Sequence, residues 1–129
     1  MTTLPITSLI AAGLAVLLLV LTFIVSKYRG VAHVSLGDGG DKEMLKRIRT
    51  FGNFTEYAPM GLLLLALVEY GGGSALIVWI IGGLLLGGRI LHALGMLVKS
   101  ISIGRMIGIL ATYLVFLISA IWLILNAIG

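Results

Sequence analysis

The sequence predicts an all-α protein, an integral membrane four-helix bundle forming a single four-span domain over residues 1–129. Three observations carry that reading. Of 129 residues, 60% are hydrophobic and only 11% charged, with a mean hydropathy of +1.18, and a soluble domain of this size cannot hide so much apolar surface. Three apolar segments are each long enough for the roughly 20 helical residues that cross a hydrocarbon core, and a fourth reaches that length once its polar start is included. All nine Lys and Arg residues fall at helix ends or loops that an up-and-down layout places on one side.

The first helix is predicted over about 4–28. It is built on the unbroken apolar run 4–26, and Lys27, Tyr28 and Arg29 end it with snorkelling cations and an interfacial ring. Residues 1–7 carry no charge, so the segment reads as a retained span rather than a signal peptide. Residues 30–45 hold Gly30, Gly37, Gly39 and Gly40 among Asp38, Asp41, Lys42 and Glu43. The Gly37-Asp38-Gly39-Gly40 run lacks the flanking pattern of a phosphate or calcium loop and is read as a turn-rich connector.

The second helix is predicted over 46–70. The apolar part from Tyr57 to Tyr70 is too short to span alone, so the helix must begin inside the polar stretch. At about 100° per residue, Lys46, Arg49, Asn53, Glu56 and Tyr57 fall at roughly 0°, −60°, −20°, −80° and +20°, one narrow face. Polar groups at such depth are costly and are expected to look into a bundle interior or a wet cavity, where they serve function. An Arg49–Glu56 pair that merely joins helices is the plainer alternative. Pro59 removes one intrahelical N–H, and Glu69 lies about 140° from Lys46, off the polar face, as a solvated end residue.

The third helix is predicted over 75–98. Its Gly83 and Gly87, with Gly82 and Gly88, allow close approach of a neighbour, while Arg89, His92 and Met96 follow along one stripe. A loop over 99–104 leads to the fourth helix, about 105–127, opened by Arg105, with Gly104 and Gly108 as a second closely packing pair. The positive-inside rule makes the side holding loops 1–2 and 3–4 cytoplasmic and places both termini outside. Lys27, Arg29, Lys42 and Lys99 are explained by topology alone; Arg49, Arg89 and Arg105 stand within or at the start of helices and are candidates for an anionic ligand.

Without Cys the chain has no disulfide, thiolate metal site or cysteine nucleophile. No residue pattern argues for a metal or for nucleic acid. Proton-coupled drug export by a four-span chain requires a carboxylate in the first helix, and residues 4–26 have none.

The spacing Arg49-x-x-x-Asn53-x-x-Glu56-Tyr57-x-Pro59, with Arg89-x-x-His92-x-x-Gly95 and Arg105, resembles the MAPEG superfamily, membrane-associated proteins in eicosanoid and glutathione metabolism. The Gly37–Gly40 connector and the residues around Arg89 look most like its small bacterial branch. The resemblance implies a homotrimer of four-helix bundles in a bacterial inner membrane, with glutathione as co-substrate between subunits near the cytoplasmic face. It also implies that Arg49, Asn53, Glu56, Tyr57, Arg89 and His92 bind glutathione, that Arg105 stabilises the thiolate, and that Lys27 or Arg29 contributes. His92 and Met96 depart from the Tyr residues common in glutathione-using relatives.

The chemistry is coherent by itself. Glutathione offers two carboxylates, an ammonium and a thiol; arginines can fork onto the carboxylates and Glu56 can take the ammonium. A guanidinium beside a thiol of ordinary pKa near 8.5 raises the thiolate fraction. Two functions follow as expectations: a glutathione transferase or peroxidase acting on lipophilic substrates that enter from the membrane lipid, or a non-catalytic lipid- or anion-binding protein on the same fold.

Overall fold

Four helices and no strand make up the described residues, 3–99 and 101–129, of the computed structural model: α1 (Pro5–Ala32), α2 (Lys42–Tyr70), α3 (Ala75–Val98) and α4 (Ile103–Ile128). Each is long and apolar enough to cross a membrane. Met1, Thr2 and Ser100 lie outside the described residues, so the loop expected over 99–104 is described without Ser100.

Three helix ends differ from expectation, each for a local reason. α1 runs past Arg29 to Ala32, because cations and a Tyr at an interface do not stop a helix. The stop comes from His33 in the left-handed conformation, φ 54°, whose N–H bonds the Arg29 carbonyl. α2 starts at Lys42 because the Asp41 carboxylate accepts the Met44 N–H at 2.9 Å, an N-cap, with Glu43 placed favourably in the first turn. α4 starts at Ile103 because Ser102 accepts the Arg105 N–H at 3.2 Å. Between α1 and α2, Gly37, Gly39 and Gly40 all have positive φ, a conformation open to Gly at no steric cost.

The two middle helices form the diagonal of the bundle: α2 and α3 touch each other and both outer helices, while α1 and α4 do not meet. Leu14 and Leu21 of α1, Leu65 and Val68 of α2, Val78, Ile81 and Leu85 of α3 and Val115 of α4 are buried in the shared core. Around it, large apolar side chains such as Leu19, Phe23, Leu114 and Leu117 remain exposed, as membrane-facing surfaces do.

α3 and α4 approach most closely. A Cβ on Gly88 would meet the Gly108 carbonyl at 3.1 Å, one on Gly108 would strike the backbone of Gly88 and His92, and one on Gly95 would collide with the backbone N of Arg105. The contact is thus made by Gly88, Gly95, Gly104 and Gly108, whereas Gly83 and Gly87 face open space and Gly82 receives Ile10 of α1.

At the opposite end, Glu69 is not a solvated end residue. Its carboxylate accepts the N–H groups of Ile6 at 3.0 Å and Thr7 at 2.7 Å, so α2 supplies the cap that Leu4 cannot give to α1. Glu69→Ala leaves both N–H groups without that acceptor and is expected to cost about 1 kcal/mol, seen as a lower thermal midpoint in detergent; an unchanged midpoint would show that water serves α1 equally well.

Candidate functional site

The five polar residues of the second helix do share a face, but the bundle divides them. Asn53 and Tyr57 turn toward α3 and α4. The Asn53 side-chain oxygen accepts Arg89 Nη1 at 2.7 Å, and the Tyr57 ring lies 6.1 Å from both the Tyr113 and the Phe116 rings of α4. Arg49 and Glu56, two turns apart, stay at the exposed edge with side chains about half exposed, 51% and 52%. They meet in a fork, Nη1 to Oε1 at 3.3 Å and Nη2 to Oε2 at 3.4 Å. Gly52 lies under that fork, since a Cβ there would sit 3.2 Å from Arg49 Nη1.

Arg89 is the most costly group in the bundle. It is 1% exposed, and the ion pairs among the described residues do not involve it. Beyond the Asn53 bond, its guanidinium sits 5.5 Å from the Tyr57 ring centroid, a cation–π contact. Its Nε and Nη2 find no hydrogen-bond partner among the described residues. His92, one turn on and 3% exposed, lies where α4 passes closest, with its backbone against Gly108.

Asn53 also lines a groove of about 630 Å³ between the start of α2, the end of α3 and the start of α4. Lys42, Lys46, Arg49, Lys99 and Arg105 bring five cations to it, against the single carboxylate of Glu43. That carboxylate is already engaged by Lys46 at 2.8 Å and by Arg47 at 3.7 Å. Met96 completes one wall. Such a groove suits a ligand with more than one negative group.

A second cavity, of about 560 Å³, lies beside the first and shares Lys99 and Arg105 with it. Its other lining is Ile101, Ser102, Ile103, Met106 and Ile109, almost wholly apolar. Arg105 therefore stands between a cationic groove and a greasy one.

Of the residues singled out from the sequence, Lys46, Arg49, Asn53, Met96 and Arg105 line the cationic groove. Arg89 joins it through Asn53, Tyr57 through Arg89, and Glu56 through Arg49; His92 does not line it. Neither first-helix candidate reaches it within one chain. Arg29 Nη1 donates to the carbonyls of Gly37 at 2.8 Å and Val34 at 3.4 Å, and the Lys27 ammonium lies 6.0 Å from the Phe23 ring. Lys42 and Lys99, assigned above to topology alone, are groove residues, and Tyr113 is an unforeseen neighbour of Tyr57. The signal for the two lysines was available: both flank helices that the four-span layout brings to the same end.

The MAPEG family model matches residues 7–125. The chain is also similar to Inner membrane protein YecN of Escherichia coli strain K12, 37% identical over 90 residues that cover 70% of this chain and 69% of the relative. The protein of the same name in Escherichia coli O6:H1 matches to the same extent. No solved structure matches the chain.

The Arg89–Asn53 bond generates a paired prediction. Asn53→Ala strands Arg89 in a buried site and is expected to cost about 1–3 kcal/mol of stability, whereas Asn53→Asp gives the guanidinium a counter-charge and holds or raises the thermal midpoint. Equal losses in both variants would contradict the role given to Asn53.

Proposed function

The chain belongs to the MAPEG family, and from that premise we propose that it is a membrane-embedded glutathione transferase or peroxidase-like protein. It activates the glutathione thiolate for attack on lipophilic electrophiles or hydroperoxides. The observation that carries the reading is the position of Arg105, which lines both the cationic groove and the apolar cavity.

The groove chemistry fits the thiol tripeptide. Its two carboxylates find Arg49 and the lysines at 42, 46 and 99, with Arg able to bind a carboxylate by two parallel bonds. Glu56, beside Arg49, takes the ammonium. The thiol then lies at Arg105, where a guanidinium favours the ionised form over a thiol of pKa near 8.5. A lipophilic substrate occupies the cavity lined by Ile101, Ile103, Met106 and Ile109. The sulfur forms a bond to the electrophilic carbon and the leaving group departs with its electron pair; with a hydroperoxide, the sulfur attacks the terminal oxygen and the alkoxide leaves, taking up a proton. Bringing the two reactants to opposite sides of one cation is catalysis by positioning.

The same reading includes a homotrimer, and it sets the chain in a bacterial inner membrane, in line with the name carried by the relative. Both termini lie outside, and the loops at 33–41 and 99–102 are cytoplasmic by the positive-inside rule. A second reading, a non-catalytic lipid- or anion-binding protein on this fold, is favoured by one observation. His92, at a position held by Tyr in many glutathione-using relatives, is buried against α4 rather than turned into the groove.

The test is the ultraviolet difference spectrum at the thiolate band as detergent-purified protein is titrated with glutathione, with Arg105→Ala beside it. The wild type is expected to give a saturable signal. The variant is expected to lose about tenfold or more of the thiolate formed at neutral pH, one unit of thiol pKa being tenfold. Binding without a thiolate signal favours the second reading, and no binding at all overturns the first.

A further inference from the structure

A separate basic cavity lies between α1 and α2, on the side of α2 turned toward α1. Ile24, Lys27, Tyr28 and Val31, one stripe of α1 at helical spacing, and Arg47 of α2 enclose about 240 Å³. None of them lines the cationic groove.

Arg47 is held there in an unusual state. Its guanidinium lies 4.4 Å from the centroid of the Tyr28 ring, and its buried Nε has no hydrogen-bond partner among the described residues. Lys27 brings a second cation to the same opening. The nearby carboxylates are occupied elsewhere. Glu43 is shared between Lys46 at 2.8 Å and Arg47 Nη2 at 3.7 Å, so Arg47 has only the longer part of one divided carboxylate, and Asp41 caps α2 through Met44 while lying 3.3 Å from the Tyr28 hydroxyl. Two cations therefore share a cavity into which no carboxylate projects.

The remaining lining, Ile24 and Val31, is apolar, and the same stripe continues one turn down α1 to exposed Val20. The cavity stands at the end of the bundle where the basic residues gather, so its polar part meets the headgroup layer and its apolar part the hydrocarbon. We infer that this is a binding site for one anionic phospholipid, with the phosphate between Lys27 and Arg47 and the acyl chains along the α1 stripe. A soluble phosphate ester would use the two cations but not the apolar floor.

The experiment is native mass spectrometry of the delipidated full chain in neutral detergent, titrated with phosphatidylglycerol or phosphatidylcholine, with and without competing glycerol 3-phosphate. Phosphatidylglycerol is expected to bind in preference to phosphatidylcholine, and Lys27→Gln and Arg47→Gln are each expected to weaken its retention about fivefold, the contribution of one cation near an anionic headgroup. Lys27 is exposed, so its variant carries the test if Arg47→Gln fails to fold. Equal retention of the two lipids, or retention of phosphatidylglycerol undiminished in Lys27→Gln, would overturn the site. Displacement by glycerol 3-phosphate at concentrations similar to those of the lipid would overturn the lipid assignment in favour of a soluble phosphate ester.

Discussion

A guanidinium without a carboxylate, buried where helices meet, sets the terms for this bundle. Arg89 is shut off from bulk water at 1% exposure, and leaving it bare would be far more costly than any single packing contact. What makes it tolerable comes from α2: the Asn53 oxygen and the face of the Tyr57 ring. These two contacts fix the rotation of α2 about its axis. Once Asn53 and Tyr57 point inward, Arg49 and Glu56 are carried to the exposed edge, where they find each other. The cationic groove is thus an outcome of how one buried charge is accommodated.

The second constraint is the closeness of α3 and α4. Gly95 has no side chain because the backbone of Arg105 occupies that space, and Gly108 does the same for Gly88 and His92. Small residues let helix backbones pack directly in a bilayer, where no hydrophobic drive brings helices together. Here the close approach also has a chemical result. It sets the start of α4, and with it Arg105, against the end of α3, so that one cation faces two cavities of opposite character.

Much of this was legible in the sequence. Four spans follow from hydropathy, and the common face of Lys46, Arg49, Asn53, Glu56 and Tyr57 follows from helical spacing. What a helical projection cannot tell is which members of a face some 100° wide turn inward, since that depends on a partner 36 residues away for Asn53. Glu69 was misread for a similar reason: its acceptor role is to a helix start 62 and 63 residues earlier, and nothing in its own neighbourhood signals it. Helix ends at Ala32 and Lys42 were set by His33 and Asp41, whose roles depend on backbone conformation and a single side-chain bond rather than on polarity. Lys42 and Lys99 carried two meanings at once, as charges that orient a membrane protein and as walls of a groove. Composition registers only the first.

The Glu69 clamp also bears on how the bundle is made. Glu69 and both of its partners, like the whole of α1 and α2, lie within the first 70 residues of the chain, so the first hairpin can lock shut while α3 and α4 are still being synthesised, at some 5–20 residues per second. A closed hairpin presents Asn53 and Tyr57 as a ready receptor. When α3 packs against that hairpin, Arg89 meets an acceptor and an aromatic face that α2 already carries.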